Sequence, residues 1–180
     1  MTDHAFTLAA GVGAFGDGSH PTTRGVLAAL ASIDPVLFTP RMACDIGCGS
    51  GIVTLAMAAA FSCSVVAVDI SEQAIETMRE NASINGVADR VLAVRADGFA
   101  HPTIAAQAPY DLMVMNILAE PLLRLAAPAD AHLASGGGLL LSGMLSWQES
   151  AITEAYGSLG LERTARLTIG NWVTQLWQKQ

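Results

Sequence analysis

The sequence predicts one α/β domain built on a doubly wound, mostly parallel sheet that ends in an antiparallel hairpin. Three observations point there. Short β-branched runs alternate with alanine-rich helical stretches from Met42 onward. The runs end at or just before an acid, an asparagine or a glycine. The last two are separated only by Thr168-Ile169-Gly170-Asn171, which leaves no room for a crossover helix.

Residues 41–46 (RMACDI) form a short apolar run that stops at glycines, and 51–61 (GIVTLAMAAAF) read as a helix. Residues 64–70 (SVVAVDI) are β-branched without polar alternation, the pattern of a parallel strand covered on both faces. Ser71 opens a helix with Glu72 and Glu76 near its start, and Asn85-Gly86 stops it. Further strands are expected over 90–95, 110–115 and, after Gly136-Gly137-Gly138, 139–142. Helices fit over 120–133, despite Pro121 and Pro128, and over 147–159. Residues 161–167 and 172–177 then make the hairpin. The result is a Rossmann-like sheet with one antiparallel strand, whose ligands lie beyond the carboxyl ends of the strands. Residues 1–180 read as a single domain, 1–40 as a lid loop and helix and 41–180 as the core, with no linker or repeat dividing them.

Composition narrows the function. The chain carries a net charge of −7 and a single lysine, Lys179, so it offers no electrostatic footprint for a phosphate backbone and no direct nucleic-acid substrate is expected. At 52% hydrophobic and 14% charged, it has little charge to spread over its surface, which leaves room for an apolar partner face or a homodimer. Cys44, Cys48 and Cys63 lack CxxC spacing and are expected as small buried side chains, with no metal. The start MTDHAFTLAAGVG has no cationic segment followed by an apolar one, and no apolar run reaches the ~18 residues of a membrane span. A cytoplasmic chain without membrane contact is expected.

The chemistry concentrates at the strand ends. Asp45-Ile46-Gly47-Cys48-Gly49-Ser50-Gly51 joins the first strand to its helix, where glycines allow a sharp turn and close ligand approach. A dinucleotide fingerprint would be GxGxxG, but here the third glycine comes one residue early and position 52 is Ile52, which disfavours a nicotinamide enzyme. No Lys-Ser or Lys-Thr follows, so it is not a P-loop. Asp45, Asp69 and Asp97 end three successive strands. Asp69 can accept both hydroxyls of a ribose, and Asp97, beside Gly98 and Phe99, can accept from an adenine amino group. Three acids with no lysine nearby would repel a pyrophosphate but suit a positively charged nucleoside, and S-adenosylmethionine is one.

DIGCGSG, VVAVDI and the Asn116-Ile117-Leu118-Ala119 run resemble class I S-adenosylmethionine-dependent methyltransferases. Together with FGDGSHPTT and GGGLLLSGML, they resemble the PrmA family of bacterial ribosomal-protein (L-eleven) methyltransferases over about residues 11–177. The resemblance implies the class I methyltransferase fold and a cofactor held by Thr23, Gly47, Asp69 and Asn116. It also implies a separate N-terminal recruitment domain, which is expected to be missing here, and the sequence departs from the family pattern at Asp17 and Ser19, where threonine is usual. The opening loop gains a role from it. Pro21 suits a first helical position, and the helix N-terminus with Thr22 and Thr23 would attract the methionine carboxylate while Phe15 covers it. His20 is expected as a structural cap rather than a general base. Asn116 is expected to position both cofactor and incoming amine, the acceptor being a protein, a ribosomal one among them, or a small molecule. A cofactor-binding partner subunit without turnover is the reading from a different class.

Overall fold

The computed structural model describes residues 6–8 and 18–180. Seven strands form one sheet: β1 (Met42–Ile46), β2 (Ser64–Asp69), β3 (Val91–Arg95), β4 (Tyr110–Asn116), β5 (Leu133–Leu145), β6 (Leu161–Ile169) and β7 (Trp172–Lys179). Their spatial order is β3-β2-β1-β4-β5-β7-β6. Pairs from β3 to β5 are parallel, and β7 lies antiparallel between β5 and β6. Strand order reverses between β1 and β4, and a crevice opens at such a switch point because the connections on either side leave in opposite directions.

Period-two alternation divides the core. Cys44, Ile46, Val66, Val68, Met113, Met115, Leu139 and Leu141 face one side. There they meet α4 (Pro102–Gln107), α5 (Ala119–Arg124), α6 (Ala126–His132) and α7 (Glu149–Gly157) through Ile104, Leu122, Ala129 and Ile152. Ala43, Val65, Leu112, Val114 and Leu140 face the other side, under α1 (Pro21–Ser32) and α2 (Ile52–Phe61). α3 (Glu72–Ile84) completes that face through Ile75 and Met78. Helices on both faces explain why the central strands are apolar on both, as their sequence suggested.

Three expectations need correction. The helix expected over 120–133 is two helices, because Pro128 has no N–H to continue the ladder; the chain breaks at Leu125 with φ −94 and ψ 4. The fifth strand is longer than 139–142. It starts at Leu133, and its register against β4 shifts between Leu133 and Gly138, so the glycine run lies within the strand as an irregularity instead of leading into it. The hairpin connection is two residues, Gly170 and Asn171, since Thr168 and Ile169 pair with Val173 and Trp172. The short helix α4 had no apolar periodicity to announce it. Among the described residues no helix is long and apolar enough to cross a membrane, and the three cysteines are buried free thiols.

Candidate functional site

A cavity of about 640 Å³ opens at the strand-order reversal. Thr23, Asp45, Gly47, Gly49, Asp69, Asp97 and Asn116 all line it, so seven positions scattered over the sequence share one space. Phe15 and Asp17 lie outside the described residues. Gly51 does not line the cavity. It is the N-cap of α2 with φ +85, and a Cβ there would meet Met78 Sδ; its lack of a side chain serves the turn and the packing of α3.

The glycine loop is held from three directions. Gly47 and Cys48 donate backbone N–H groups to Val68 O at 2.8 and 2.9 Å, tying the loop to the end of β2. Gly49 N–H donates to Asp69 Oδ2 at 3.0 Å, and Ser71 N–H to Asp69 Oδ1 at 2.9 Å. Asp69 is thereby oriented with lone pairs to spare, since a carboxylate accepts about four hydrogen bonds. From behind, the buried Asn81 of α3 donates Nδ2–H to Ser50 O at 2.7 Å. Asn81 escaped the sequence reading because an asparagine inside a helix looks like surface.

Asp45 differs from the other acids. It is 1% exposed, and Thr54 donates its hydroxyl to Oδ2 at 2.6 Å. Burial pushes its carboxyl from the ordinary 3.8 up to about 7, opposed by the Thr54 hydrogen bond and helped by the neighbouring charge of Asp69. Desolvation and the adjacent acids also raise the Cys48 thiol beside it, so that side chain stays neutral and inert.

The opposite wall comes from α1, β4, β5 and β7. His20 caps α1, its Nδ1 accepting from Thr22 N–H at 3.4 Å and lying 2.8 Å from Thr22 Oγ1. Its ring meets Trp172 edge to face at 5.1 Å. Asn116 donates Nδ2–H to Thr23 Oγ1 at 3.5 Å. Beneath them, Ser142 Oγ lies 3.0 Å from Thr174 Oγ1 and donates to Thr22 O at 3.4 Å, binding the first turn of α1 to the sheet.

Asp97 is more committed than its sequence suggested, because Oδ1 takes an ion pair from Arg124 Nη2 at 2.8 Å. Arg124, Ile70, Leu118, Gly143 and Trp172 line the cavity and were missed by sequence reasoning. Ile70 was findable, as an apolar residue directly after a strand-end acid, and it is 66% exposed. Gly143 and Trp172 were not findable locally. Trp172 reaches the site only because β7 pairs with β5, Leu145 opposite Trp172. At Gly143, φ is +93 and a Cβ would strike the carbonyl oxygen of Ile117, so the glycine lets the turn after Asn116 lie against β5.

The donor set fits a cationic adenosyl compound. Backbone of a tight glycine loop, an oriented half-buried carboxylate and a buried acid surround the centre, while Ile70 and Leu118 supply apolar cover at the rim.

Comparison with known proteins agrees in one direction. The family model described as ribosomal protein L11 methyltransferase (PrmA) matches residues 2–180. The ribosomal protein L11 methyltransferase of Rhodopseudomonas palustris (strain BisB5) is 41% identical over 168 residues, which make up 92% of this chain and 56% of that protein. That of Brucella suis (strain ATCC 23445 / NCTC 10510) is 40% identical over 173 residues, 95% of this chain and 59% of its own length. The chain thus spans a little over half the length of these relatives. The crystal structure of ribosomal protein L11 methylase from Lactobacillus delbrueckii subsp. bulgaricus superposes with a TM-score of 0.82 at 30% identity, covering 96% of this chain and 84% of that one.

Proposed function

Because the chain belongs to the ribosomal protein L11 methyltransferase (PrmA) family, we propose that it transfers a methyl group from S-adenosylmethionine to an amine of a protein acceptor, ribosomal protein L11 being the first candidate. The observation that carries this reading is the meeting of Asp45, Asp69 and Asp97 with Asn116 around one cavity in which, among the described residues, the one lining arginine is already paired to Asp97. Such a site attracts a sulfonium and an ammonium and repels phosphates.

Each residue then has a task. Asp69 accepts from the ribose hydroxyls, and Asp97 from the adenine amino group. Gly47 and Gly49 let backbone approach the middle of the cofactor, and the first turn of α1 with Thr23 receives the methionine carboxylate. Asp45, whose carboxyl burial pushes up to about 7, supplies negative charge beneath once the cationic ligand draws it into the ionised form. When bound, S-adenosylmethionine would supply an electrophilic methyl group on sulfur, to which an amine lone pair would form a C–N bond as the C–S bond breaks and its electrons return to sulfur. No covalent enzyme intermediate is needed, so alignment supplies most of the acceleration. A lysine amine must first lose a proton to bulk water, costing about 4–5 kcal/mol at neutral pH. Walls formed by the partly buried Ile117 and Trp172 lower that cost by stripping water from the ammonium. Asn116, anchored on Thr23, holds the amine in line.

Purified chain is incubated with S-adenosylmethionine and L11, and methylation is read by mass spectrometry. Asn116→Ala is expected to lower kcat by about 10²-fold while leaving the cofactor Kd within a few-fold. Cofactor binding without any methyl transfer to L11 would remove the proposed acceptor, and absence of cofactor binding would remove the whole reading.

A further inference from the structure

Three consecutive residues after β3 are each gripped by the segment that follows Asn116. Arg124 Nη2 reaches Asp97 Oδ1 at 2.8 Å. Leu125 lies so close to Gly98, φ +58, that a Cβ there would sit 2.6 Å from its Cδ2. His132 stacks on Phe99 with ring centroids 4.8 Å apart and planes at 24°. The same loop is tied to the neighbouring acid, since Ala96 N–H donates to Asp69 O at 2.9 Å. Backbone position is therefore fixed by packing on either side of Gly98, whereas the Asp97 side chain is about half exposed and owes its orientation to the guanidinium.

We infer that Arg124 is a positioning residue for cofactor selection: it occupies one oxygen of Asp97 so that the other is presented to the adenine amino group. This rests on the adenosyl reading of the cavity given above. An aspartate carboxylate has a broad, roughly two-fold preference about its last torsion, so an unpaired side chain on an exposed rim samples several directions. An arginine N–H on Oδ1 selects one of them. Arg124 cannot take over the recognition itself, because a guanidinium carries only donors and the adenine amino group is also a donor. The pairing also removes the cation as a competitor for the sulfonium: its charge is spent on Asp97, and the cavity keeps its negative balance.

The test separates positioning from a simple field effect. Calorimetry on the whole chain measures binding of S-adenosylhomocysteine and of S-inosylhomocysteine, in which a carbonyl oxygen replaces the amino group. The wild type is expected to prefer the adenosyl compound. Arg124→Gln is expected to weaken the adenosyl compound by about two- to fivefold, the range of an exposed ion pair, and to leave the inosyl compound unchanged, so the preference falls by the same factor. Arg124→Lys should restore part of it. In an Asp97→Asn background, Arg124→Gln should alter the preference no further. Thermal melts confirm that each variant is folded. Equal changes for both ligands in Arg124→Gln, or an unchanged preference, overturn the inference while the adenosyl reading stands. A wild type that binds neither compound overturns that reading and the inference with it.

Discussion

Replacing Asp45 by asparagine should make the protein more stable at neutral pH than the wild type and erase a pH dependence that the wild type shows. The carboxyl is fully buried and titrates near 7 in the fold against 3.8 ordinarily. The folded state therefore holds a proton that the unfolded chain releases at lower pH. Between about pH 4 and 7 the native protein binds more protons than the unfolded one, so stability falls as pH rises through that window and is flat above it. Roughly three pH units at about 1.36 kcal/mol each give a loss of about 4 kcal/mol from acid to neutral conditions. Asparagine keeps an oxygen for the Thr54 hydroxyl and has no charge to bury. Urea unfolding of both proteins at half-unit steps from pH 4.5 to 8 measures the difference, in which contributions from other carboxylates largely cancel. The wild type should lose ground steadily up to about pH 7. Parallel curves for the two proteins, or a wild type that gains on the variant as pH rises, would refute the assignment of a buried, proton-holding Asp45.

Two further outcomes follow from the site. A cationic cofactor favours ionised Asp45, so the affinity for S-adenosylmethionine should rise with pH up to about 7 and then level off, by at most about tenfold per pH unit; binding heats near pH 6.5 should depend on the buffer's ionisation enthalpy, and identical heats in phosphate and Tris would count against it. Gly143→Ala should cost about 2 kcal/mol or more in thermal and denaturant unfolding, because left-handed backbone alone costs about 1–2 kcal/mol and the new Cβ meets Ile117. Gly170→Ala, at φ +59 with nothing within 4 Å, serves as the control: it should lose only the backbone term and leave cofactor affinity unchanged.

The sheet was legible because its signals are local. SVVAVD is a buried parallel strand on composition alone, and the connection from Ile169 to Trp172 is too short for anything but a hairpin. Asp45, Asp69 and Asn116 were legible for a related reason, as polar residues placed where apolar runs stop. What stayed hidden depends on contacts between distant segments. Trp172 enters the cavity through the β5–β7 pairing, Gly143 through the approach of the turn after Asn116 to β5, Asn81 through the packing of α3 beneath the glycine loop, and Arg124 through the approach of α5 to the loop after β3. Pro128 is visible in the sequence, but where the helix divides, at Leu125, is set by the packing of the two pieces. The buried state of Asp45 also needed the fold, since an acid before a glycine turn reads as solvent-facing.

Asp45, Asp69, Asp97, Asn116, Gly143 and Trp172 come from β1, β2, the turn after β3, β4, β5 and β7, so five of the seven strands and the turn leaving a sixth meet in one space. A molecule lodged there cannot stay bound if any of those strands peels away. Occupancy is consequently linked to global unfolding and not to the fraying of one loop. At a hundredfold excess over Kd this linkage adds about 2.7 kcal/mol to the free energy of opening, and amide protons deep in the sheet, far from the ligand, exchange about a hundredfold more slowly.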